Sequence, residues 1–151
     1  GNMDYDPNVD AVLYFTSEVF PLILKRFPET RFIIAGQRPV EQVKALDNGA
    51  NIRVTGFIPD LSEMYNSASV VVAPLRFGAG TQNKVLEAMS MGIPVVCSNI
   101  GFEGLGIQDG DGAFMRVGSQ AFAEQVCVLL DDRSLREYTG KKGVEVIQKT
   151  F

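Results

Sequence analysis

Residues 70–105, VVVAPLRFGAGTQNKVLEAMSMGIPVVCSNIGFEGL, decide the fold. The stretch opens on an apolar run at 70–73 and returns to a second one at 94–97. Between them stand a glycine-rich loop, Gly78-Ala79-Gly80-Thr81, and a helix-type segment at 82–91. Continuous apolar runs mark strands buried on both faces, and two such strands joined through a helix form a parallel pair.

The same alternation continues outward. Apolar runs at 32–35 (FIIA), 52–54 and 113–117 supply three more strands. Helix-type segments fill 9–27, 40–47, 60–67, 119–130 and 132–150. Strands alternating with helices predict an α/β domain with a parallel sheet covered on both faces. Pro21 removes a backbone donor and is expected to kink or split the first helix. A length of 151 residues suits one compact domain, and there is no internal repeat. Residues 2–8 (NMDYDPN) read as a loop leaving a strand that is barely there, and 148–151 stop inside helical sequence. The expectation is a domain, 1–151, excised from a longer chain.

Composition narrows the function. The net charge is -4, with 14 lysines and arginines spread thinly, so nucleic acid is not an expected partner. No apolar run reaches the ~18 residues of a membrane span. Cys97 and Cys127 both lie in apolar surroundings and read as small core residues. There is no histidine, so any chemistry runs without the commonest general base and metal ligand. Asp109-Gly110-Asp111-Gly112 looks like a calcium turn but lacks the remaining ligands, and reads as an ordinary turn. Asp132 is placed to cap the last helix.

The loop at 78–81 lets backbone approach a ligand, and the helix that follows starts with unpaired N–H groups and roughly half a positive charge. That is a natural seat for a phosphate or diphosphate. Lys84 and Glu87 are three apart and share a face. Glu87 stands about 9 Å along the axis from Thr81 at ~1.5 Å per residue, a distance that fits phosphates at the helix start and ribose hydroxyls at the carboxylate. The spacing equally allows Lys84 and Glu87 to be a solvated ion pair.

With GAGT at 78–81, then Lys84, LEAM at 86–89 and GIPVV at 92–96, the segment resembles the donor-binding, C-terminal domain of group 1 (family 4-type) GT-B glycosyltransferases. Residues 28–36, Val54-Thr55-Gly56-Phe57 followed by Asp60, Gly101-Phe102-Glu103-Gly104-Leu105, and the opening NMDYDPN extend the likeness over nearly the whole chain. The resemblance implies a Rossmann-like, three-layer αβα domain, one half of a GT-B fold. It implies that Glu87 binds the ribose of a nucleotide diphosphate sugar, that Val85 and Leu86 line the ribose and base pocket, and that Phe57 and Ile58 lie near the base. Gly36 falls at a strand's carboxyl end, the edge where such sheets bind ligands. Gly78, Ala79, Gly80 and Thr81 would meet the diphosphate, with Lys84 stabilising charge on the leaving group.

The resemblance also implies transfer with retention, no bound metal, no cofactor, and an acceptor site on an N-terminal domain outside this chain. Surface polysaccharide synthesis at the cytoplasmic face of a bacterial membrane, with peripheral membrane association of the full-length enzyme, is the implied setting. Two features depart from the family. Ala79 stands where many members carry a first glutamate. Asn2 and Pro7 stand where many carry Arg and Lys, leaving Lys84, with Arg76, to supply positive charge. The alternative is a sugar-nucleotide epimerase or another Rossmann enzyme, but no dinucleotide fingerprint follows a first strand. A receiver domain would need acidic residues clustered at strand ends, and these are not found.

Overall fold

The computed structural model describes residues 1–78 and 83–150. The five expected strands form as Phe32–Ala35 (β1), Ile52–Gly56 (β2), Val71–Ala73 (β3), Val95–Cys97 (β4) and Ala113–Met115 (β5). Every strand pairing is parallel. Hydrogen bonds group the strands into two ladders, β1–β2 and β3–β4–β5. The opening residues run beside the carboxyl end of β1. Gly1 N donates to Ala35 O at 3.2 Å, Met3 N donates to Gln37 O at 2.8 Å, and Asn2 bridges Gln37 in parallel. That single bridge is too short to count as a strand.

Strand β4 explains how helices cover both faces. Side chains alternate along a strand, so Val96 enters one core cluster while Val95 and Cys97 enter another. The first cluster packs α1 (Asp6–Tyr14), α2 (Phe20–Arg26) and α7 (Ser119–Asp131) through Val12, Phe15, Val19, Ile23, Phe122 and Val126. The second joins α5 (Asn83–Ser90) to α8 (Arg133–Thr150) through Val85, Ala88, Met89 and Ile147. The result is three layers, helix on sheet on helix. Three short helices complete the chain: α3 (Glu41–Lys44), α4 (Ser62–Ser67) and α6 (Asn99–Phe102). The sequence reading omitted α6, which Ser98 caps by accepting a hydrogen bond from Gly101 N at 3.4 Å.

The first helix breaks close to where Pro21 demands it. A π-helical turn, Phe15–Val19, precedes α2, and Phe20 N donates to Phe15 O, five residues back. Pro21 then falls in the first turn of α2, where its missing N–H costs nothing. The shifted register brings Phe15, Val19, Phe20 and Ile23 all into the core. The helix starts at Asp6, earlier than the sequence pattern implied, because Pro7 suits a first turn.

Cys97 and Cys127 are buried and unpaired, and Asp132 Oδ1 accepts from Leu135 N at 3.0 Å, capping α8 as expected. Asp109 Oδ1 accepts from Met115 N at 2.7 Å and pairs with Arg116, which makes the DGDG segment a structural turn. Helix α8 lies close against the turn after α5. A Cβ on Gly140 would stand 2.0 Å from Gly92 O, so only glycine permits that approach.

Candidate nucleotide-binding site

Helix α5 divides its side chains by period. Val85, Ala88 and Met89 face the sheet with no more than 1% exposure, which leaves Lys84 and Glu87 off the buried face. They form no close ion pair with each other, and each has a neutral hydrogen-bond partner on another element. Lys84 Nζ donates to Asn8 Oδ1 at 3.0 Å. Asn8 is buried in the first turn of α1, and its Nδ2 donates to Asn2 O at 3.0 Å. Burial pushes the Lys84 ammonium below the usual lysine range. Glu87 Oε2 instead accepts from Tyr65 Oη, on α4, at 3.0 Å. Burial, then that hydrogen bond, push the Tyr65 phenol up to about 12, so it stays a donor at neutral pH.

Glu87 and Tyr65 line a cleft of about 340 Å³ between α4 and α5, together with Ile58, Leu61, Ser62 and Met91. Asp60 Oδ1 accepts from Ser62 N at 2.9 Å and shapes the entry to α4. A carboxylate and a phenol at the mouth of a partly apolar cleft can receive a hydroxylated ligand with a flat apolar portion. Among the described residues no cluster of three or more Cys, Asp or Glu could hold a metal ion.

The structure thus brings together Glu87 and Ile58 of the expected residues. Val85 needs correction as a pocket-lining side chain, since it is 1% exposed and packs into the second core cluster. Leu86 packs partly against the same cluster. Phe57 is 69% exposed and outside the cleft lining, beyond the turn at Gly56, whose φ is 72°. Gly36 abuts the first residue, where a Cβ would stand 1.9 Å from Gly1 O. Gly78 has φ 108° and lies against Pro7. Ala79, Gly80 and Thr81 lie outside the described residues. Arg76, invoked as a second positive charge, is already engaged: its guanidinium pairs with both Asp10 oxygens at 2.6 and 2.9 Å and lies 4.6 Å from the Tyr14 ring centroid.

Tyr65 and Asn8 are the residues sequence reasoning missed. Tyr65 lies 22 positions from Glu87 and Asn8 lies 76 from Lys84. No local spacing rule connects them. A tyrosine's need for a partner when half-buried was the one available signal.

Residues 1–132 match the family described as Glycosyl transferases group 1. The chain belongs to that family. It is 28% identical to the capsular polysaccharide biosynthesis glycosyltransferase CapM of Staphylococcus aureus, over 94% of this chain and 39% of CapM. It spans about a third of the length of other curated relatives, 34% and 37% of two of them. Its fold matches the C-terminal domain of the group 1 glycosyl transferase LpcC from Francisella tularensis, with a TM-score of 0.73 and 20% identity over 97% of this chain and 80% of that one. It also matches Anabaena HepE, solved in complex with UDP and glucose, with a TM-score of 0.74 and 17% identity over 88% of this chain and 39% of HepE.

Proposed function

We propose that the chain is the donor-binding domain of a retaining glycosyltransferase and holds the nucleoside diphosphate of a sugar donor. The ribose diol meets Glu87, the base lies toward Ile58, and the diphosphate sits at the start of α5 within reach of Lys84. The observation that carries this reading is the position of Glu87: its carboxylate lines a cleft beside Tyr65, on the helix that follows the glycine-rich sequence 78–81. The UDP complex of HepE, alike in fold, supports a nucleotide as the ligand.

Chemically, Lys84 stabilises negative charge on the departing diphosphate, an electrostatic contribution that requires neither a histidine nor a metal from this domain. The acceptor site and any catalytic base lie on an N-terminal domain of a longer enzyme, consistent with the 39% of CapM that the chain spans. Its setting is polysaccharide synthesis at the cytoplasmic side of a membrane with which the whole enzyme associates peripherally. No helix among the described residues is long and apolar enough to cross that membrane.

Titration calorimetry of the 151-residue chain with UDP, GDP and ADP sugars tests the proposal and identifies the base. One of these donors is expected to bind, and Glu87→Ala is expected to weaken that binding at least about tenfold, on the scale of hydrogen bonds to a charged group. Unchanged affinity in Glu87→Ala would remove the basis of the reading. A nucleotide-release assay should detect no acceptor glycosylation by this chain alone.

A further inference from the structure

We propose that Tyr65 is a positioning residue whose phenol fixes the Glu87 carboxylate for recognition of a vicinal diol, and so lets the site tell ribonucleotides from deoxyribonucleotides. The inference rests on the proposed seat of the ribose at Glu87 and deepens it.

Glu87 is exposed on α5, and Lys84 on the same helix attracts the carboxylate without forming a close ion pair. A free glutamate samples many rotamers, and each ligand hydroxyl would have to order it on binding. Tyr65 supplies the restraint from a different element. Its ring packs against the second core cluster, so the core sets its position, not the carboxylate. From there the hydroxyl donates to Oε2 at 3.0 Å.

A carboxylate offers about four lone-pair sites on two oxygens. The phenol takes one, leaving Oε1 and the second site on Oε2, enough for the two O–H donors of a cis diol. Phenol and carboxylate line the same cleft, so the held carboxylate stands where a ligand can reach it rather than in the core. A tether between α4 and α5 would need no such opening.

Calorimetry on the 151-residue chain with UDP, GDP and ADP, each beside its 2′,3′-dideoxy analogue, tests the proposal. The wild type is expected to prefer the ribonucleotide, and Tyr65→Phe should cut that preference about fivefold, the effect of one ordinary hydrogen bond. The loss should fall on the ribonucleotide, leaving the dideoxy ligand unchanged. Adding Tyr65→Phe to Glu87→Gln should cost nothing further, because the two residues act as one unit. Equal weakening of both ligands by Tyr65→Phe, or none, overturns the proposal while the Glu87 reading stands. Unchanged ribonucleotide affinity in Glu87→Ala, or no binding of any ribonucleotide by the wild type, overturns both. Thermal melting of Tyr65→Phe separates loss of fold from loss of recognition: intact melting with an unchanged preference counts against the proposal.

Discussion

Tyr65 Oη and Glu87 Oε2 lie 3.0 Å apart across the cleft between α4 and α5, which couples the phenol's protonation to the fold. The phenol is raised from its ordinary 10.0 to about 12 in the folded chain. The folded state therefore holds this proton when the unfolded chain has released it. The contribution is complete below pH 10 and is lost as pH rises toward 12. The difference in phenolate absorbance between wild type and Tyr65→Phe should isolate one group ionising near the top of that window. A difference curve centred at the ordinary value would show that neither the burial of the phenol nor its bond to Glu87 holds in solution.

Asn8 joins the start of α1 to α5 through two hydrogen bonds, accepting from Lys84 and donating to Asn2 O. Asn8→Leu keeps the branched shape and removes both. It leaves the half-buried Lys84 ammonium without its amide acceptor, while the exposed Asn2 carbonyl keeps Tyr5 N, at a cost of about 1–3 kcal/mol. Urea unfolding should show a lower midpoint with an unchanged slope. An unchanged midpoint would mean that solvent replaces both partners freely.

How much of this was legible in the sequence follows from the range of each interaction. The strand at 32–35 was legible because four consecutive apolar residues mark a strand, although the burial on both faces that such a run implies does not hold there: Ile34 is buried and Ile33 is exposed. The cap at Asp132 was legible for the same local reason. The π-turn at Phe15–Val19 was not, since Pro21 marks the strain but not which register relieves it. Val85 was assigned to a pocket by resemblance, although its spacing with Ala88 and Met89 already marked it for the core. Glu87 was legible as a candidate, whereas its partner on α4 depends on how two elements dock.

Arg76 and Asp10 form a bidentate surface pair backed by the Tyr14 ring. Half of the Arg76 side chain is nevertheless exposed. Exposed pairs contribute roughly 0.2–1 kcal/mol and an exposed cation–π contact a similar amount, so Arg76→Ala should cost no more than about 1.5 kcal/mol. The Arg76 hydrogen bond holds the Asp10 carboxyl below its usual range. The contribution is present above the unfolded value of 3.8 and lost as pH falls through the folded one. The difference between wild type and Arg76→Ala in denaturation midpoint should shrink with added salt and in acid. A difference that persists in both would assign Arg76 a packing role instead.

Gly140 tests how tightly α8 is pressed against the sheet layer. Alanine at an ordinary helical position gains about 0.5–1 kcal/mol over glycine. Here the added Cβ would stand 2.0 Å from Gly92 O and 2.9 Å from Gly92 C, and a backbone carbonyl cannot turn aside as a flexible side chain can. Overpacking of that kind costs about 1–3 kcal/mol, so Gly140→Ala should lower Tm despite its better propensity, by about 2–4 °C per kcal/mol. Gly143, one turn on, has its nearest neighbour at 3.3 Å, and Gly143→Ala should do less harm. Calorimetric melting of the two variants orders them. A Gly140→Ala variant as stable as the wild type would mean that α8 can move outward freely, and the close approach at Gly92 would then contribute nothing to the fold.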